Sequence, residues 1–250
     1  MIDLRNRAIM ITGASSGIGR QCAITCSQLG ATLALVGRDP TRLAETRGLL
    51  QGDAHHVVQQ DVTDYAVLGS MVANIVAKLG PLSGFVHSAG ISLRLPLKQM
   101  RPEHFEQTLA VNVISAFELA KYVQQKANLA AEKASIVFIA SIMGQLGQPA
   151  KIAYCASKAA LVNGARALAL ELAPRHIRVN CISPGVVKTK MYESLAEKLP
   201  EDAAKSILDA HPLGLGEASD VANAVAFLLG DVSRWITGTE LIVDGGYSAQ

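Results

Sequence analysis

Seven short apolar runs recur along the chain: AIMIT (8–12), ATLALVG (31–37), HHVVQ (55–59), GFVHS (84–88), SIVFIA (135–140), IRVNCI (177–182) and ELIVD (240–244). Most are apolar at nearly every position rather than at alternate ones, the pattern of strands buried on both faces. The stretches between them predict helices over 17–29, 41–50, 64–79, 102–127, 152–173 and 217–229. Start signals precede several of these: Asp39-Pro40-Thr41, Asp61 to Asp64, and Arg101-Pro102. Strand and helix in alternation, joined by right-handed crossovers, give a parallel sheet with helices on both faces. The expected fold is therefore α/β, a doubly wound parallel sheet of seven strands in a single domain over 1–250. Ligands of such sheets bind beyond the carboxyl ends of the strands, so the residues just after each strand are the place to look.

One stretch breaks the rhythm. Residues 186–212 are long, moderately polar and weakly helical, which predicts a substrate lid. Its apolar Met191, Tyr192, Leu195, Leu199, Ile207 and Leu208, with Leu93, Leu95 and Ile142, predict a mostly apolar pocket closed by His211.

Composition then removes whole classes. Half the residues are hydrophobic and 18% are charged, enough to bury a sizeable core. The net charge of +2 is spread along the chain without basic runs, and aromatics make up 4%, so no nucleic-acid partner is expected. No run approaches the ~18 apolar residues of a membrane span. The opening MIDLRNRAIMITG is too short in its apolar part for a signal peptide. A cytoplasmic protein with no membrane contact is expected. The four cysteines form no CxxC pair, which predicts free thiols and no metal.

The strand ends carry the candidate chemistry. After the first comes TGASSGIG (12–19). Gly13 permits a tight turn, Gly17 lets backbone N–H groups approach a pyrophosphate, and Gly19 allows close helix packing. Ser15, Ser16 and Ile18 complete the turn, where the next helix offers its positive end to phosphates. At the end of the second strand an acid suits NAD(H) and an arginine suits the 2′-phosphate of NADP(H). Arg38 stands there, with Asp39 beside it. The guanidinium matches phosphate in two-pronged fashion, so NADP(H) is favoured, with NAD(H) as the alternative. Asp61-Val62 could hold an adenine, or Asp61 could only cap the next helix. Ser88-Ala89-Gly90 supplies small residues where a ribose passes the backbone. Ser141 ends the fifth strand, and Tyr154 and Lys158 share one helical face at i, i+4.

In this order and spacing, TGASSGIG, Asp61-Val62, SAG (88–90), Asn112, Ser141, YCASK (154–158), PGVVKT (184–189) and VDGG (243–246) resemble the short-chain dehydrogenases/reductases over nearly the whole chain. The resemblance implies a Rossmann-type fold and a nicotinamide cofactor. By position, Tyr154 would be the general acid/base and Lys158 would lower its pKa and bond the nicotinamide ribose. Ser141 would polarise the substrate oxygen, and Asn112 would hold a water that links Lys158 to solvent. Pro184, Gly185, Val187 and Thr189 would hold the carboxamide. His87 and Ser16 depart from the family pattern, in which asparagine and, in many NADP enzymes, a basic residue are usual.

The C-terminal stretch resembles the bacterial 3-oxoacyl-acyl-carrier-protein reductases. It implies a small carbonyl or alcohol substrate, carried on acyl-carrier protein, with Arg175 or Lys126 as docking candidates. A polyol, sugar or steroid dehydrogenase and a non-catalytic dinucleotide sensor are the rivals. The family's habit also implies a homotetramer formed through the helices at 102–127 and 152–173.

Overall fold

The computed structural model describes residues 2–130, 134–190, 192–193 and 201–249. All seven expected strands form: β1 (Ala8–Thr12), β2 (Thr32–Gly37), β3 (His56–Gln59), β4 (Gly84–His87), β5 (Ser135–Ile139), β6 (Arg178–Pro184) and β7 (Glu240–Val243). They pair in parallel, in the order β3-β2-β1-β4-β5-β6-β7. The doubly wound α/β fold expected from the apolar runs is present.

Side chains of each strand alternate between two apolar layers. Met10, Phe85 and Phe138 face one side, where they meet α3 (Tyr65–Leu79), α5 (Ser115–Val123) and α6 (Ile152–Leu172). Ile9, Ile11, Val86 and Val137 face the other, against α1 (Gly17–Gln28), α2 (Pro40–Gly48) and α8 (Ala218–Leu229). Cys22, Cys26 and Cys181 are buried thiols, and all four cysteines are unbridged. Among the described residues, no helix is long and apolar enough to cross a membrane.

Two expectations need correction. The helix expected over 102–127 is not continuous: α4 (Pro102–Leu109) runs into a π-helical turn at Ala110–Ile114 before α5, which ends at Val123. The turn closes with Ser115 N–H donating to Ala110 C=O. Apolar periodicity does not register one extra residue in a turn, so the pattern could not show it. The stretch at 186–212 includes α7 (Glu201–Asp209), and Met191, Leu195 and Leu199 lie outside the described residues.

Candidate active site

The sheet changes direction between β1 and β4, since β2 lies on one side of β1 and β4 on the other. Loops beyond these two strands cannot cover each other, and a crevice of about 640 Å³ opens there. It is lined by Gly13, Ser15, Ser16, Gly17, Ile18, Arg38, Asp61, Val62, Ser88, Ala89 and Gly90. Ser141, Tyr154, Lys158, Pro184, Gly185, Val187 and Thr189 complete the set, so the fold gathers every predicted site residue except Gly19 and Asn112.

The glycine turn is set by close backbone approach. Gly13 and Gly17 have φ of 66° and 52°, in the left-handed region. A Cβ on Gly13 would stand 2.8 Å from the Ser88 carbonyl, and one on Gly19 would stand 2.3 Å from Gly13 O. Gly19 therefore packs α1 on the turn and does not face the cleft. No side chain caps the start of α1 and no acid lies in its first turn. Its N–H groups remain suited to an anion.

Beyond β2 the arrangement is more balanced. The Arg38 guanidinium lies 3.7 Å from the Asp61 carboxylate, both largely exposed. Asp61 also accepts from Thr63 N–H (2.9 Å) and Thr63 Oγ1 (2.7 Å). Burial opposes its charge, yet these bonds and Arg38 hold its pKa below the usual carboxylate value. Arg42 escaped the sequence reading. It sits in the first turn of α2, lines the cleft, and keeps a buried Nε without a hydrogen-bond partner. Its spacing of four from Arg38, at a helix start, was the available signal. An orphaned guanidinium N–H beside Arg38 fits a phosphate, so the residues present fit a phosphorylated dinucleotide.

At the other end, Gly144 brings the loop after β5 onto α6: a Cβ there would be 3.0 Å from the Lys158 backbone. This approach sets Ser141 close enough to Tyr154 for its hydroxyl to favour the phenolate. Ser141 Oγ also accepts Met143 N–H at 3.2 Å. Lys158 is buried, and its ammonium donates to Ile139 O at 2.7 Å and lies 5.7 Å from the Tyr154 ring centroid. Burial pushes Lys158 down to about 8. Burial pushes Tyr154 up, with the Ser141 hydroxyl opposing it. The lowered phenol expected from Lys158 is not what this arrangement produces, because the phenol is desolvated and the ammonium is committed to Ile139.

Asn112 does not reach the cleft. Fully buried in the π-helical turn, it accepts Ile91 N–H (2.8 Å) and donates to Ile91 O and Ser157 Oγ (each 3.0 Å). Both amide protons are taken, so its side chain has none left for the expected water and instead fixes the loop after β4 to α6. His87 serves the same joint. It shares hydrogen bonds with Thr12 Oγ1 (3.0 Å) and Val111 O (3.4 Å), and Thr12 Oγ1 accepts Ala89 N–H (3.3 Å). Burial, with Lys158 adding to it, pushes His87 down to about 3, so the ring is neutral. Val111 O can only accept, so Nε2 carries the proton and Nδ1 accepts from Thr12.

The mouth differs from the sequence expectation. Ile142, Ile207 and Tyr192 do line it, but Leu93, Leu95 and Leu208 do not; Ser92, Arg94, Gln148 and Lys151 take their place. The apolar pocket is thus a mixed one, with Arg94 and Lys151 in it and Lys190 lining it beside Thr189 and Tyr192. His211 does not face water: it is buried, donates from Nδ1 to Ile207 O (2.7 Å) and accepts Val186 N–H at Nε2 (3.2 Å). Arg175 is bound to the side chain and carbonyl of Gln124, an internal tie between α5 and the end of α6.

The chain is similar to known proteins over nearly its whole length. A family model described as enoyl-(acyl carrier protein) reductase matches residues 13–248. The 3-oxoacyl-[acyl-carrier-protein] reductase of Thermotoga maritima is 34% identical, over 97% of this chain and 98% of that one. The enzyme of the same name from Escherichia coli is 33% identical, over 98% of each. A crystal structure described as a short-chain alcohol dehydrogenase from Sinorhizobium meliloti superposes with a TM-score of 0.93 at 32% identity, covering 100% of this chain and 99% of that one.

Proposed function

The chain belongs to the short-chain dehydrogenase/reductase family, NAD(P)-dependent oxidoreductases acting on CH–OH groups, and we propose that it is an NADP(H)-dependent reductase of 3-oxoacyl thioesters. The observation that carries this reading is one cleft with Ser141, Tyr154 and Lys158 at one end and the glycine turn with Arg38 and Arg42 at the other. The reductases among its relatives support the substrate.

When bound, a reduced nicotinamide supplies the hydride. The chain's own residues orient and protonate. Ser141 and Tyr154 together hold the substrate oxygen, and the Tyr154 hydroxyl gives it a proton. Lys158 holds positive charge beside the phenol and shifts to the ribose hydroxyls from Ile139 O. Arg38 and Arg42 take the 2′-phosphate, with Arg38 exchanging its exposed pairing to Asp61 for the stronger charge. Pro184 to Thr189 hold the carboxamide; Gly185 is required there because a Cβ would lie 2.9 Å from the Asp244 backbone. Asn112 acts as a positioning residue. We also place the protein in the cytoplasm, as a homotetramer that can meet acyl-carrier protein.

The test is the rate of NADPH oxidation with a short 3-oxoacyl thioester, for wild type and Tyr154→Phe, with NADPH binding measured separately. Turnover should fall by about 10²–10⁴-fold in the variant, the worth of a positioned acid, with NADPH affinity unchanged. Tight NADPH binding without thioester turnover in the wild type would overturn the substrate and leave the family standing.

A further inference from the structure

The cleft carries more positive charge than the proposed chemistry uses. Among the described residues its only acidic lining group is Asp61, already opposite Arg38 beyond β2. At the mouth, Arg94 follows β4 and Lys151 immediately precedes α6. Leu95 N–H donates to Ala150 O at 2.8 Å, which ties the two segments side by side and puts each cation next to the tie. Ala150 is held at φ 64°, a left-handed conformation that costs a non-glycine residue about 1–2 kcal/mol. The loop keeps this strained shape while presenting Lys151 to the cleft.

The Lys151 ammonium lies 5.6 Å from the Tyr154 ring centroid. Its side chain is half-buried, and burial followed by the charge of Arg94 pushes its pKa below the usual lysine value. Among the described residues neither Arg94 nor Lys151 pairs with a carboxylate. Two cations brought together, one partly dehydrated and both without a counterion, form a site that an anion completes. The phosphate-binding features, the glycine turn with Arg38 and Arg42, belong to other loops of the cleft. The anion at the mouth is therefore the substrate's.

We propose that Arg94 and Lys151 form a carboxylate subsite through which the protein also reduces 3-oxo acids in their free form, the carboxylate a few bonds from the carbonyl that Tyr154 serves. This rests on the 3-oxoacyl reading above and adds the free acid to the thioester as a form of the acyl group. The phosphate of a thioester carrier is the other source of an anion. It is separated from the 3-oxo carbon by the whole length of the carrier arm, whereas Lys151 stands over the ring of the proton donor.

The experiment compares kcat/KM with NADPH for 3-oxobutanoate, its methyl ester and 3-oxobutanoyl-coenzyme A, in wild type, Arg94→Leu and Lys151→Met. NADPH affinity and thermal midpoint report whether each variant is folded. The acid should be preferred over the ester by about 10- to 100-fold, the worth of a charged hydrogen bond. That ratio should fall toward one in both variants, mainly through the KM for the acid. Equal use of acid and ester by the wild type, or a preference that survives in both variants, would overturn the subsite. Preference for the thioester, with its KM raised in the variants, would overturn the carboxylate in favour of the carrier phosphate. If none of the three is reduced, the 3-oxoacyl reading fails on its own, and calorimetry of 3-hydroxybutanoate against its methyl ester with NADP⁺ present decides the subsite. Carboxylate-dependent binding lost in Lys151→Met supports it, and equal or absent binding of both overturns it.

Discussion

The two ends of the cleft present positive charge to it with different materials. The end beneath β1 and β2 is made largely of backbone: a glycine turn, the N-terminus of α1, and an exposed arginine already balanced by Asp61. The mouth is made of side chains, Arg94 and Lys151 with Lys190 also in the lining, and no balancing acid lines it among the described residues. A backbone site dictates residue type, since a Cβ at Gly13 would run into the Ser88 carbonyl. A side-chain site dictates little, because any residue could stand at a loop tip. The first end is therefore written in the sequence and the second is not.

The joint between the two ends is His87, and the largest expected effect tests whether its neutral ring holds them together. Its folded pKa lies near 3 against an ordinary 6.5. Between these values the unfolded chain binds a proton that the folded one refuses, so stability is present above about 6.5 and is lost as pH falls toward 3. The full loss approaches about 5 kcal/mol at 1.36 kcal/mol per unit. Asp61 and Asp244 are held below the ordinary carboxylate value of 3.8, so their contributions are present above it and lost only below it. Urea unfolding of wild type and His87→Asn across pH 7 to 4 separates the two. The wild type should lose several kcal/mol more over this range than the variant. Parallel curves would show that His87 does not set the acid limit.

Much of this was legible because it follows from burial and backbone geometry. The seven apolar runs reported strands covered on both faces, and β6 differs from its expected span by starting one residue later and by its last residues, Ser183 and Pro184, which pair with β7. Tyr154, Lys158 and Ser141 declared themselves by spacing along one helix and one strand end. What stayed hidden depends on partners distant in sequence. The bonds of Asn112 to Ile91 and Ser157 need the π-helical turn, which leaves hydrophobic periodicity almost unchanged. The lowered tyrosine expected from Lys158 missed that Ile139 O, 19 residues away, engages the ammonium. Arg94 and Lys151 are separated by most of α4, α5 and β5, and only the Leu95–Ala150 bond shows that they are neighbours.

The next effect in size addresses the backbone-rich end. Arg38→Ala should raise the KM for NADPH by about 10- to 100-fold, the scale of a lost charged hydrogen bond, and leave that for NADH nearly unchanged. Arg42→Ala should give a smaller rise of the same selectivity, since the helix start and Arg38 remain. Measuring both cofactors with one carbonyl substrate makes the check. An equal loss with NADH would mean that these arginines hold the loop rather than read the 2′-phosphate, and the contrast between the two ends would weaken.

The smallest effect concerns what closes the mouth. His211 joins α7 to the segment after β6, donating to Ile207 O and accepting Val186 N–H, while its ring lies 4.7 Å from that of Tyr247. Val186 adjoins the proposed carboxamide-holding residues and Ile207 lines the mouth, so one ring couples α7 to the segment after β6. His211→Leu leaves Val186 N–H unpaired and should raise the KM for the carbonyl substrate several-fold, about 1 kcal/mol, with NADPH binding little altered. His211→Gln restores an acceptor and should recover part of that loss. A rise in KM that glutamine repairs assigns the effect to the Val186 bond. Equal damage in both variants would assign it to the ring packing on Tyr247, and the lid would then be coupled by shape rather than by a hydrogen bond.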